Sequence, residues 1–92
     1  MTTENKVPDP LIDAWMTYMH ISKGRSARTV EAYRAALIRL QEFLAGKPLV
    51  DADGAELEMF CGMWLHKQGV VARSRKPYIS AVKGFYAWLR LN

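Results

Sequence analysis

Apolar residues return at every third or fourth position along this chain, in four runs divided by glycine and proline. That period is the signature of an amphipathic helix, and no segment alternates long enough to predict a strand. The first helix is predicted from about Pro10 to Ile21. Asp9 stands as its N-cap and Pro10 at its first position, where the missing N–H costs nothing. Leu11, Trp15 and Tyr18 share one face with Ile12, Met16 and Met19 beside them, so the apolar arc is wide. Ser22-Lys23-Gly24 ends it. The second helix starts at Ser26 and reaches roughly Ala45, with Val30, Tyr33, Leu37, Leu40 and Leu44 facing inward and Gly46-Lys47-Pro48 as the break.

Asp53 followed by Glu56 is a capping-box start for a third helix. Its inner stripe is Leu57, Phe60, Cys61 and Trp64, and Gly69 stops it. A fourth helix begins near Ser74 with Pro77 in its first turn. It faces inward with Tyr78, Val82, Phe85 and Leu89, flanked by Ala81, Tyr86 and Trp88. The expectation is an all-α fold, a compact four-helix bundle spanning residues 10–92 after a flexible segment over residues 1–9. The chain stops at Trp88-Leu89-Arg90-Leu91-Asn92 without a terminating glycine, as a domain cut from a longer protein would.

Composition sharpens this picture. With 92 residues, half of them hydrophobic, the chain supports one domain with its own core. The net charge is +4 and its distribution is uneven. Asp51, Asp53, Glu56 and Glu58 cluster, whereas no acid occurs after Glu58. Lys23, Arg25, Arg28, Arg34 and Arg39 are opposed only by Glu31. A single cysteine, Cys61, excludes an internal disulfide and fits a reducing compartment. His20 and His66 stand far apart, with no metal-ligand spacing around them. No signal-peptide pattern or membrane-length apolar run is present, and a soluble cytoplasmic protein without a cofactor is expected.

The charges also have a helical period. Arg28, Ala32, Ala35 and Arg39 line one side of the second helix; Lys76, Ser80, Lys83, Ala87 and Arg90 line one side of the fourth. A basic face with small residues between the charges can lie close against a polyanion. The segments Lys23-Gly24-Arg25-Ser26-Ala27-Arg28-Thr29 and Arg73-Ser74-Arg75-Lys76 place bases and hydroxyls at two helix starts, where free N–H groups favour phosphate. Both patterns also suit an ordinary solvated surface. The wide apolar arc of the first helix, with Met59 and Met63 opposite the inner stripe of the third, keeps a protein-interaction surface open as the alternative. No nucleophile–base pair, phosphate loop or paired carboxylate points to catalysis.

Two runs resemble a known family. Lys23-Gly24-Arg25-Ser26-x-x-Thr29-Val30-x-x-Tyr33-Arg34-x-x-Leu37 is similar to the second helix of the N-terminal core-binding, SAM-like domain of tyrosine recombinases, the phage integrases and Xer-type enzymes. Tyr78-Ile79-Ser80-Ala81-Val82-Lys83-Gly84-Phe85-Tyr86-x-Trp88-Leu89 is similar to that domain's fourth helix. The resemblance covers about residues 10–91. It implies a SAM-like orthogonal helical bundle that forms half of a clamp on double-stranded DNA at a core recombination site, for integration or site-specific recombination. It further implies a C-terminal catalytic domain of the same recombinase, and other recombinase protomers assembled on DNA. The catalytic set of that second domain has no match here: His20 and His66 are followed three residues later by Lys23 and Gly69, not by arginine.

On this reading Arg28, Arg39, Lys76 and Lys83 hold phosphates. Arg25, Ser26, Thr29, Arg73 and Ser74 position the two helix starts. Arg28 and Arg75 are the candidates for base edges, since a guanidinium bonds guanine in bidentate fashion. Ala32 and Ser80 complete the face, Ala32 with apolar contact alone. Pro77 stands where many relatives carry a basic or small residue.

Overall fold

In the computed structural model the described residues are 9–91, so the expected flexible segment lies outside them except for Asp9. Asp9 itself belongs to the fold. Its carboxylate accepts from the Leu11 N–H at 2.9 Å, capping helix α1 (Pro10–Thr17) at the proline predicted for its first position. α1 runs directly into a π turn, Tyr18–Ser22, closed by the Lys23 N–H donating to the Tyr18 carbonyl at 3.2 Å. Gly24, at φ 64°, turns the chain away.

Ser26 caps α2 (Ala27–Leu44): its Oγ accepts from the Thr29 N–H at 3.2 Å. α2 ends one residue before the predicted break, because Ala45 already takes the left-handed conformation at φ 52°, followed by Gly46 at φ 101°. A short 3₁₀ turn, Leu49–Asp51, follows, and Leu49 is completely buried. The Leu49 N–H donates to Asp9 at 3.4 Å, and its carbonyl accepts from the Tyr86 hydroxyl at 2.7 Å. The Asp9 N–H donates to the Gln41 side chain at 2.9 Å. These bonds tie the start of α1 to α2, the 3₁₀ turn and the last helix.

Helix α3 (Gly54–Met59) opens with the predicted capping box. Asp53 accepts from the Glu56 N–H at 2.8 Å, and Glu56 accepts from the Asp53 N–H at 3.0 Å. Lys47 also pairs with Glu56 at 2.9 Å. α3 continues through a second π turn, Phe60–Trp64, and a last α turn, Leu65–Lys67. Gly69 at φ 87° ends it as expected. A 3₁₀ turn, Ala72–Arg75, leads into helix α4 (Lys76–Leu91), which therefore starts slightly later than Ser74. No strand occurs among the described residues.

The core draws on every helix: Ile12, Trp15, Met16 and Met19; Ala36, Leu37, Leu40 and Leu44; Phe60 and Leu65; Ala81, Val82 and Phe85. In α1 the buried side centres on Ile12, Trp15 and Met19, while Leu11 and Tyr18 are half-buried. An arc as wide as this one does not locate its own centre; the helices packed against it do. In α3 the expected stripe misses Leu65, which is completely buried. Leu65 stands eight positions after Leu57 and four after Cys61, so it extends the same face by one residue. Trp15 sits at the middle, stacked on Tyr33 (5.5 Å between ring centres, 9° between planes) and edge-on to Phe85 at 5.6 Å.

Candidate nucleic-acid interface

α2 and α4 pack side by side, and their first turns meet at one surface. Arg28, Thr29, Ala32 and Tyr33 from α2 and Lys76, Pro77 and Ser80 from α4 line an open groove of about 420 Å³. Arg28, Ala32, Lys76 and Ser80 are exposed, whereas Thr29 and Tyr33 are half-buried and so sit deeper. A second groove continues from it, sharing Tyr33 and Ser80, and runs past Gly84 and Trp88 to Lys23 and Arg25 at the end of α1. The two cationic helix faces predicted from their period thus converge at their N-terminal ends.

The start of α2 is held by local chemistry. Ser26 accepts from the Thr29 N–H, and its hydroxyl donates to the Thr29 hydroxyl at 3.1 Å. Ser26 is therefore a cap that orients Thr29 and leaves the remaining first-turn N–H groups of α2 without helical partners. Arg25 is anchored through its backbone, its N–H donating to the Met19 carbonyl at 3.0 Å, and its side chain lines the second groove.

The start of α4 is built differently. Arg73 and Ser74 are exposed in the 3₁₀ turn, and the Ser74 N–H donates to the Val71 carbonyl at 2.9 Å. Arg75 is half-buried and donates from one guanidinium nitrogen to the Gly62 carbonyl at 3.2 Å. That bond draws Arg75 toward the π turn of α3.

Four residues of the predicted faces, Ala35, Arg39, Lys83 and Arg90, lie outside the grooves. Arg39 is half-buried and lies about 16 Å along α2 from Arg28 at the rise of an α-helix. Lys83 is exposed on α4, one turn after Ser80. It lies near enough to α3 that its charge acts on Cys61, whose thiol is pushed up chiefly by burial and pulled back by Lys83. Tyr33, an inward residue by its period, and Pro77, where many relatives carry a basic or small residue, both line the groove. Their signal was faint, since Tyr33 belongs to an inward stripe and Pro77 reads first as a helix-start residue.

Among the described residues no group of histidine, cysteine and carboxylate side chains could hold a metal ion. No helix there is long and apolar enough to cross a membrane.

Comparison with known proteins bears directly on this arrangement. Residues 12–92 match the phage integrase N-terminal SAM-like domain. The tyrosine recombinase XerC of Xylella fastidiosa strain 9a5c is 38% identical over 82 residues, covering 86% of this chain and 28% of that protein. XerC of Chromobacterium violaceum is 39% identical over 69 residues, covering 75% of this chain and 23% of the relative. The tyrosine recombinase XerD of Pseudomonas aeruginosa is 32% identical over 80 residues, covering 86% and 27%. The chain spans about a quarter of the length of these relatives. No solved structure matches it. The helical fold, the paired helix starts and a match over nearly all described residues together make this chain a member of the phage integrase N-terminal SAM-like domain family, the domain carried by tyrosine recombinases.

Proposed function

We propose that this chain is the DNA-binding, core-binding domain of a tyrosine recombinase or integrase and forms half of a clamp around the core recombination site. The observation that carries the reading is the groove in which the first turns of α2 and α4 bring Arg28 and Lys76 together over the small residues Ala32 and Ser80. Charge at such a groove attracts phosphate, and the absence of long acidic side chains from its lining lets a duplex approach.

Roles divide by position. Arg28, Lys76, Lys83 and Arg39 hold phosphates. Arg25, Ser26, Thr29, Arg73 and Ser74 set the two helix starts. Arg28 is the first candidate for a base edge. Arg75 is second, because one of its nitrogens is committed to Gly62. Breaking and rejoining strands belongs to a C-terminal catalytic domain of the same recombinase, with other protomers completing the assembly on DNA. This chain binds without cutting.

The test is fluorescence anisotropy of a labelled duplex against salt. Four phosphate contacts predict log K falling against log salt with a slope of roughly −3 to −4. Combining Arg28→Glu with Lys83→Glu should abolish binding. Affinity that stays flat with salt, or survives the double reversal, would refute the proposal. The competing reading is a protein-interaction module, favoured by the exposure of Met59 and Met63 (58% and 61%) on α3. The same double reversal lies off α1, so a partner bound on that helix would be retained.

A further inference from the structure

The groove between α2 and α4 has an uneven chemistry that charge alone does not explain. Its cations, Arg28 and Lys76, come one from each helix. Between them stand Ala32, Pro77 and the half-buried Tyr33. The side chains of Ala32 and Pro77 carry no hydrogen-bonding group. The Thr29 hydroxyl accepts from Ser26 at 3.1 Å and keeps its own proton to donate. Tyr33 and Ser80 supply the other hydroxyls of the lining.

A polar base edge set against Ala32 and Pro77 would exchange its water partners for nothing, a cost that selects against it. The major groove of DNA offers one methyl group, at C5 of thymine, and beside it on the same base the O4 acceptor. Resting on the DNA-binding reading above, we infer that the exposed apolar pair Ala32 and Pro77 at the mouth of the groove is a thymine-reading subsite. Ala32 and Pro77 close on the 5-methyl group, Ser80 donates to O4, and Arg28 and Lys76 fix the flanking phosphates. The groove then discriminates at one base pair by shape and desolvation, and the cations supply affinity that every sequence shares.

The probe is a duplex enriched from a randomised library by this 92-residue chain at low salt, then resynthesised with each thymine in turn replaced by deoxyuridine, which lacks only the methyl group. One position should respond, with affinity falling roughly fourfold, the worth of one buried methyl. Ala32→Gly and Pro77→Ala, each checked by circular dichroism for an intact fold, should each bring the thymine-to-uracil ratio at that position close to one. Two variants on different helices keep the test usable if one unfolds. The inference is overturned if no thymine responds, or if the deoxyuridine penalty persists in both variants, which would trace it to the stiffness of the DNA. In either case binding that still falls with salt and with Lys76→Glu leaves the DNA-binding reading in place. If no duplex is bound in a salt-dependent way, that reading fails and takes the subsite with it.

Discussion

Gly84 is the glycine of this fold whose added Cβ would meet a neighbour, and replacing it with alanine measures how firmly the groove is backed. A Cβ added at Gly84 would lie 3.1 Å from Cζ2 of Trp15 and 3.7 Å from Cη2. The ring has little room to yield: Trp15 is 1% exposed, stacked on Tyr33 and edge-on to Phe85. Two terms compete in Gly84→Ala. Alanine in a helix interior gains about 1 kcal/mol over glycine. Overpacking a filled core costs about 1–3 kcal/mol. The second should win, with a net loss of about 1 kcal/mol. In a domain of this size that lowers Tm by roughly 4–8 °C. Gly62→Ala is the control. Gly62 lies within the α3 helix at ordinary φ, and nothing stands within 4 Å of its added Cβ, so it should gain up to about 1 kcal/mol. Thermal and urea unfolding followed by far-ultraviolet circular dichroism gives both values, and their difference isolates the clash with Trp15. If Gly84→Ala stabilises the domain as much as Gly62→Ala, the Trp15 ring moves freely and the argument is refuted.

Tyr86→Phe removes the hydroxyl that donates to the Leu49 carbonyl at 2.7 Å. It should cost about 1 kcal/mol, read as a lower urea midpoint, the Leu49 carbonyl retaining only the Ala52 N–H at 3.2 Å. Ser26→Ala should cost about 1 kcal/mol in thermal unfolding and speed amide exchange at Thr29, whereas Ser26→Asn should restore most of the loss. Glu56 is held below the ordinary carboxylate value of 4.5, first by its hydrogen bond to Lys47 and then by the Asp53 backbone. A depressed folded value means stability present above 4.5 and lost as pH falls through the folded value, so Glu56→Gln should flatten the acid limb of Tm against pH. Lys47 is raised above 10.5 by the same hydrogen bond, and its share is present below 10.5 and lost in strong alkali. Both effects should be small at high salt, because the pair is exposed.

The elements legible in the sequence were those set by local chemistry. Asp9-Pro10, Ser26 and the Asp53–Glu56 pair each satisfy helix N–H groups within a few residues, so a linear reading finds them. The π turns escape that reading, because an i to i+5 turn has no compositional mark. Leu65, by contrast, fits the 3.6-residue period at eight positions after Leu57 and was legible as part of the inner face. Leu49 was hidden because the two apolar residues after the Gly46-Lys47-Pro48 break, Leu49 and Val50, are too few to show a period. The site divides along the same line. Arg28 with Ala32, and Lys76 with Ser80, are pairs within single helices, and their shared faces follow from spacing. That the two pairs adjoin one groove depends on how α2 packs against α4, which no spacing within either helix specifies. Arg75 is the sharpest case. Its sequence position is equivalent to that of a free arginine at a helix start. Its hydrogen bond to Gly62 exists only because the π turn of α3 brings a carbonyl within reach. Whether a helix-start arginine stays free to meet a ligand is therefore a property of tertiary placement. Arg28 lines the groove beside Lys76 with no such bond drawing its guanidinium aside.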